Sequence, residues 1–166
     1  MRKIFREMVE EEIIVKLSEI EKEDYCSFLS YTWKDNLKAC EANLKKFPRW
    51  SIIAGYYAMH DLAKLFLAKN FNLKITKRVH FATVVALENV FKEDKLRKKV
   101  IILLKEAEKY YEEVEPSIYL KLAKKERERV QYYTDKKLDF ENYQHKASYF
   151  LSYIVNPFIE ILKKLI

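Results

Sequence analysis

The chain of 166 residues contains one glycine and three prolines, few for a globular protein of this length. A β-sandwich or β-barrel needs several tight turns that contain glycine, so these architectures are excluded. A glycine-rich loop of the kind that cradles phosphates is excluded as well, because it needs more than one glycine. The scarcity of turn residues instead favours long helices.

Cysteine and histidine are also scarce. Cys26 and Cys40 are the only cysteines and do not form a CxxC pair, so we expect reduced thiols in a cytoplasmic protein. The three histidines lie far apart, with no HxxxH or HExxH spacing, so we expect neither a metal site nor a cofactor. No arrangement of nucleophile and base is recognisable either, and no residue is proposed as catalytic.

Long apolar runs are missing. None approaches the roughly 18 residues that a membrane-spanning helix requires. The start, MRKIFREMVEEE, is too charged for a signal peptide. We therefore expect no contact with a membrane.

Positive charge, in contrast, is in excess and is unevenly distributed. The formal net charge is +7, yet residues 1–32 carry 5 basic and 8 acidic side chains, and residues 33–166 carry 27 basic and 17 acidic ones. The distribution predicts an acidic N-terminal helical extension over 1–32 and a basic helical bundle over 33–166. A positive field attracts phosphate-bearing partners, although a surplus of solvated lysine has the same composition. The enrichment in Lys and Glu is typical of thermophile proteins.

Apolar periodicity predicts the helices. They cover residues 2–22, 33–47, 50–70, 76–91 and 95–115, a segment after Pro116, and residues 140–165, with a connection at 24–32 and Thr76 as an N-cap. The predicted fold class is all-α: an up-and-down bundle of about five core helices with the N-terminal extension.

The helix over 50–70 is apolar around most of its circumference, so neighbours must enclose it. A glycine inside a helix costs about 1 kcal/mol relative to alanine, and close approach of another helix would explain Gly55. Pro157 is expected to kink the last helix near Tyr153.

One compact polar group interrupts the central helix. Tyr57, His60, Asp61 and Lys64 fall within an arc of roughly 100°. They form either a ligand-facing stripe, with Lys64 for a phosphate, or a solvent face with an Asp61–Lys64 ion pair. His80, on the inward stripe of the next helix, is either a structural histidine or a further ligand contact.

The predicted helix after Pro116 carries Glu126 in its apolar stripe. On the surface of that helix, Arg127 and Arg129 would flank Glu126 on either side. A buried carboxylate needs a partner, because an unpaired buried charge is costly. The two arginines therefore either neutralise Glu126 or bind a phosphate in a cleft.

These elements carry a family resemblance. A charged helix from Trp33 leads into a helix that contains YYA at 56–58, KRVH at 77–80 opens the next helix, and KERERVQYYTD precedes a long terminal helix. Over residues 33–163 the pattern resembles the HEPN domain (higher eukaryotes and prokaryotes nucleotide-binding). The resemblance implies a helical bundle, commonly a homodimer whose fourth helices line a shared cleft.

Active HEPN ribonucleases carry an arginine and a histidine with four to six residues between them. Arg127 or Arg129 matches the arginine, but positions 132–136 read YYTDK and the histidine is missing. Tyrosine is a poor general acid or base near neutrality, because its pKa is about 10. The resemblance therefore implies binding without cleavage, with arginine on a phosphate and Tyr132 or Tyr133 stacked on a base.

Three functions remain open. The first is a non-catalytic HEPN-like protein that binds a nucleotide or an RNA phosphate, as the resemblance implies, or partners a minimal nucleotidyltransferase in a toxin–antitoxin or stress system. The second is a degenerate, metal-independent ribonuclease in which His80 or His145 replaces the missing base. The third is a purely structural dimerisation or interaction module. The predicted ligand-binding residues are Arg127, Arg129, Tyr132, Tyr133, Lys64, His60, Tyr57 and His80.

Overall fold

The computed structural model describes residues 2–91, 95–114 and 140–166, which form an all-helical bundle with one small two-stranded sheet. None of the described helices combines the length and the apolar character that crossing a bilayer requires. In chain order the elements are α1 (Arg2–Glu10), β1 (Ile14–Lys16), α2 (Glu19–Asn43), α3 (Pro48–Phe71), β2 (Leu73–Ile75), α4 (Val79–Val90), α5 (Lys95–Val114), α6 (Phe140–Phe150), a π-helical segment (Leu151–Val155) and α7 (Asn156–Lys163).

Helix α3 is the centre of the bundle. It contacts α2, α4, α5, α6, the π-helical segment and α7. Because an apolar helix is stable in water only when neighbours cover it, this enclosure follows from the composition of the helix. The prediction of a buried apolar seam is confirmed for Ile52, Tyr56, Met59, Ala63 and Phe66.

The N-terminal part differs from the prediction. A single helix over residues 2–22 is wrong, since α1 ends at Glu10 and Glu12 adopts a left-handed backbone conformation with φ 54°. Helix α2 then begins with a capping box, in which the Glu21 N–H donates to Ser18 Oγ (3.4 Å) and the Ser18 N–H donates to the Glu21 carboxylate (3.1 Å). The predicted connection at 24–32 is also wrong, because α2 continues without a break to Asn43 and buries Leu29. The domain boundary predicted at residue 32 falls within this helix and stays a prediction.

A short antiparallel sheet occupies part of the predicted loop after α3. Ile14 of β1 lies opposite Ile75 of β2, and both side chains are buried. Thr76 is not the N-cap of α4, because its hydroxyl donates to the carbonyl groups of Glu12 (2.6 Å) and Ile13 (3.1 Å). Arg78 takes that position, with a left-handed backbone (φ 49°), so α4 begins three residues later than predicted.

The C-terminal helix departs from α geometry where the sequence predicts a kink. The π-helical segment Leu151–Val155 contains Tyr153 and ends just before Pro157, which stands in the first turn of α7. Proline cannot donate a backbone hydrogen bond to the preceding turn, and a wider turn accommodates the missing bond.

The contact predicted at Gly55 is confirmed. A Cβ atom there would lie 2.9 Å from Cε1 of Phe150, 3.0 Å from Sγ of Cys40 and 3.1 Å from Cγ2 of Val155. The absence of a side chain therefore lets α2, α6 and the π-helical segment approach α3 at the same level. Cys26 and Cys40 are both free thiols, as expected.

Gly55→Ala should lower the free energy of unfolding. Overpacking a filled core costs about 1–3 kcal/mol, whereas alanine gains about 1 kcal/mol over glycine inside a helix, so the loss should reach up to about 2 kcal/mol. Urea unfolding followed by circular dichroism measures it. Phe150→Leu removes the Cε1 atom that a Cβ atom at position 55 would meet. The double variant should therefore lose less unfolding free energy than the sum of the losses in the two single variants. A Gly55→Ala protein more stable than the wild type would contradict the close approach.

Candidate ligand-binding site

Four of the eight predicted ligand-binding residues belong to the part of the chain that the structure describes. They are Tyr57, His60, Lys64 and His80. The other four, Arg127, Arg129, Tyr132 and Tyr133, lie outside the described residues.

Tyr57, His60 and His80 meet in one cluster with Tyr56 and Tyr111, and we name these five residues the Tyr/His cluster. The Tyr56 ring stacks on Tyr111, with ring centroids 4.3 Å apart, and on His80, at 5.0 Å. The His60 and His80 rings meet edge to face at 4.7 Å. The hydroxyl oxygens of Tyr57 and Tyr111 are 3.4 Å apart, within hydrogen-bond distance. Helices α3, α4 and α5 thus all contribute to the same set of ring contacts.

The Tyr/His cluster extends from the core to the surface. Tyr56 and His60 are enclosed, His80 and Tyr111 are half-buried, and Tyr57 is 39% exposed. A ligand in solvent can therefore touch the Tyr57 edge of the cluster, while Tyr56 and His60 form its buried floor.

His60 is a neutral side chain in this setting. Burial lowers the pKa of His60 well below its usual value of 6.5, and the nearby charges of His80 and Lys64 lower it further. Its Nδ1 atom is buried and makes no hydrogen bond to any described residue. His60 thus lacks the charge that would attract a phosphate, and a ligand contact by this residue stays a prediction.

Lys64 forms the ion pair that the spacing predicts. Its Nζ atom lies 2.7 Å from Oδ1 of Asp61, and Asn36 Nδ2 donates to Oδ2 of the same carboxylate at 3.0 Å. Asp61 is only 8% exposed, so the pair lies in the bundle rather than on an ordinary solvent face. The same carboxylate also affects Tyr25: burial raises the pKa of Tyr25 to about 12, and the negative charge of Asp61 contributes to the increase. The charge of Lys64 is therefore compensated within the protein and is poorly placed to serve a phosphate.

The rim of the Tyr/His cluster carries charges of both signs. On the α4 side, Lys77 and Arg78 are exposed and directly precede the turn that holds His80. On the α5 side lie Glu108 and Glu112, and burial together with the Glu112 charge raises the pKa of the Glu108 carboxyl group. An anionic group of a ligand would therefore be attracted to the start of α4 rather than to α5.

A separate groove of about 530 Å³ lies between α5 and the C-terminal helix. In it the Tyr149 and Tyr153 rings stack at 4.7 Å, and Tyr110 lies parallel to Tyr149 at 6.5 Å. His145, the second histidine considered as a replacement base, lines this groove and is exposed. The groove is lined by Tyr110, His145, Lys146, Ser148, Tyr149, Ser152 and Tyr153.

Sequence reasoning missed Tyr56 and Tyr111 as members of the site. Tyr56 belongs to the apolar seam of α3, and Tyr111 is one of two adjacent tyrosines near the end of α5. Neither residue interrupts the apolar pattern, so only the packing of α5 on α3 reveals their contact. Across residues 2–91, 95–114 and 140–166, no group of three or more His, Cys, Asp or Glu side chains is arranged to hold a metal ion.

Comparison of the chain with protein-family models, with curated proteins and with solved structures finds no significant match. The resemblance to the HEPN domain therefore stays a prediction.

The burial of neutral His60 predicts a stability that falls in acid. The unfolded chain takes up a proton near pH 6.5, whereas folded His60 resists protonation until the pH is far lower. The stability contributed by neutral His60 is therefore fully present above about pH 6.5. Below that pH the free energy of unfolding falls by about 1.4 kcal/mol per pH unit for one proton. Urea unfolding at a series of pH values should show this slope for the wild type and a shallower one for His60→Gln.

Groups other than His60 titrate in both proteins, so their effects cancel in the difference in unfolding free energy between wild type and His60→Gln. His145→Gln, which removes an exposed histidine, is the matched control. If the difference between wild type and His60→Gln stays constant as the pH falls, His60 is not the neutral buried group described here.

Proposed function

We propose that the protein binds a nucleotide or an RNA phosphate without cleaving it, as a non-catalytic HEPN-like protein. The observation that carries this proposal is the exposed Tyr57 edge of the Tyr/His cluster, which contacts the His80 ring at 6.0 Å between ring centroids, with exposed Lys77 and Arg78 just before His80 in the chain. An aromatic face next to positive charge suits a base with its phosphate, because the ring accepts stacking and the cations attract the anion. The net charge of +7 supports the same class of ligand.

The absence of cleavage is part of the proposal. Within the described residues, buried His60 is neutral and enclosed, so it is poorly suited to exchange protons with a substrate. The positions at which HEPN ribonucleases carry their histidine read YYTDK here. Incubation with labelled RNA separates binding from cleavage. Cleavage that His80→Ala or His145→Ala abolishes would replace the proposal with the degenerate ribonuclease.

The proposal extends to partners and location. A homodimer and a minimal nucleotidyltransferase as partner, in a toxin–antitoxin or stress system of the cytoplasm, are implied by the HEPN resemblance. Light scattering measures the oligomeric state, and a monomer would argue against the homodimer. Co-purification with a nucleotidyltransferase expressed from a neighbouring gene tests the partner.

Tyr57→Ala should weaken binding of a labelled oligonucleotide about tenfold, since a base–aromatic stack contributes about 1–3 kcal/mol. Tyr57→Phe keeps the ring and should bind nearly as well as the wild type. Fluorescence anisotropy measures both affinities. Tyr31→Ala, which removes an exposed tyrosine of α2, is the control and should not change the affinity. Equal affinity for wild type and Tyr57→Ala would remove the Tyr/His cluster from the binding site.

Substitutions that remove positive charge test whether the basic start of α4 contacts the ligand. Lys77→Gln with Arg78→Gln should weaken binding and reduce the slope of log K against log salt by about 1.4, as expected for two lost contacts with a single strand. The matched control is Lys98→Gln with Lys99→Gln, which removes two exposed charges on α5 about 20 Å along the helix from Tyr111. The control should change affinity little, because salt screens charges beyond about 10 Å. Equal effects of both pairs would indicate attraction by net charge alone.

Arg127→Ala and Arg129→Ala should each weaken binding, and more strongly at low salt, if the arginines contact phosphate. Anisotropy titrations at two salt concentrations measure this. Unchanged affinity in both variants would exclude the cleft implied by the HEPN resemblance and leave the Tyr/His cluster as the binding site.

A further inference from the structure

Two large aromatic side chains stand in solvent at the corner between α2 and α3. Phe47 and Trp50 are each 57% exposed, and exposed Lys45 and Lys46 directly precede them. Phe47 is the N-cap residue of α3, and Trp50 lies in the first turn of the helix. The nearby chain is held in place, because Arg49 Nη2 donates to the carbonyl group of Val114 at 3.3 Å. Two exposed aromatic rings three residues apart on this corner offer a surface on which a planar ligand can stack.

Trp50 and Tyr57 belong to the same face of α3. They are seven residues apart, which corresponds to a rotation of about −20° and a rise of about 10.5 Å. Ile53 and Ala54, which lie between them along the helix, are half-buried. Two exposed rings therefore stand on one face, with a lower surface between them. Exposed Lys45 and Lys46 precede the rings at the corner, and exposed Lys77 and Arg78 precede His80, whose ring contacts Tyr57.

We infer that a single strand of nucleic acid lies along this face of α3, with bases stacked on Trp50 and Phe47 at one end and on Tyr57 at the other. The inference rests on the proposed function and deepens it, because the corner is a second contact site for the same ligand. Rows of aromatic residues with flanking cations are the common means by which proteins hold unpaired strands. The span of about 10.5 Å exceeds the reach of one base, so an oligonucleotide occupies both ends, whereas a mononucleotide occupies only the Tyr57 end.

Charge and shape favour a strand over the other partners for such a corner. An anionic membrane would also attract Lys45, Lys46 and Trp50, but a flat bilayer pressed on the Tyr57 end would meet Glu108 and Glu112 on α5. A second protein could also cover this face, because Ile53 and Ala54 between the rings are apolar, but the basic residues near both ends favour a polyanion. A flexible strand can place bases on the separate rings while its phosphates approach the lysines.

The two tryptophans of the chain supply the readout. Trp50 is exposed, whereas Trp33 is 7% exposed and packs in the core. A base stacked on Trp50 should quench the fluorescence of that residue and leave Trp33 unaffected. Titration with oligonucleotides of about nine nucleotides should therefore quench the wild type but not Trp50→Phe, which emits from Trp33 only. Separate titrations with RNA and with DNA oligonucleotides determine whether the strand carries ribose or deoxyribose.

Affinity complements the fluorescence. By anisotropy, Trp50→Ala should bind the oligonucleotide about tenfold more weakly than the wild type. Binding of AMP, followed by calorimetry, should be unchanged in Trp50→Ala. Lys45→Gln with Lys46→Gln should reduce the salt slope by about 1.4, and Tyr31→Ala should leave the affinity unchanged.

The outcomes separate the inference from the proposed function. If oligonucleotides bind in a Tyr57-dependent manner but Trp50 is neither quenched nor needed, the second contact site is wrong and the proposed function stands. If neither AMP nor any oligonucleotide binds, both are wrong. Quenching of Trp50 by phosphatidylglycerol vesicles but not by oligonucleotides would assign the corner to a membrane. A concentration-dependent mass that Trp50→Ala abolishes would assign it to a second copy of the chain.

Discussion

The enclosure of α3 is the constraint on which the rest of the structure depends. This helix is apolar around most of its circumference, and its exposure to water would cost the bundle most of its hydrophobic stabilisation. Gly55 makes the enclosure tight, because the missing side chain lets Cys40 of α2 and Phe150 of α6 approach the helix axis. The π-helical segment Leu151–Val155 and Pro157 of α7 fit the C-terminal helix against α3.

Enclosure also determines what the polar residues of α3 can do. His60 and Asp61 are drawn into the bundle with the apolar seam, so one becomes a neutral buried ring and the other a buried carboxylate held by Lys64 and Asn36. Lys64 is thereby removed from the set of free cations. The exposed rings of the helix, Trp50 and Tyr57, share one face.

Prediction from the sequence succeeded where one periodic pattern spans a whole helix and failed where two short elements share an apolar pattern. Ile13, Leu17 and Ile20 repeat at helical spacing, yet Ile13 is in a bend before β1, Leu17 follows the end of β1, and Ile20 lies at the beginning of a new helix. The Ser18–Glu21 capping box was a readable signal for the start of α2. Thr76 resembles an N-cap, but its hydroxyl serves the carbonyl groups beside β1, a contact over more than sixty residues of sequence.

By itself the sequence determined that the protein is helical, that α3 is central and that a neighbour approaches Gly55, because composition and periodicity record how much of each helix must be buried. One of its two interpretations of the polar group contained the Asp61–Lys64 pair, which depends only on positions within one helix. Only the tertiary structure decided that Tyr57 and His80 meet Tyr111 and that His60 meets His80, since those contacts join α3, α4 and α5. Periodicity records that one face of a helix is buried, but it does not record which residues of another helix cover that face.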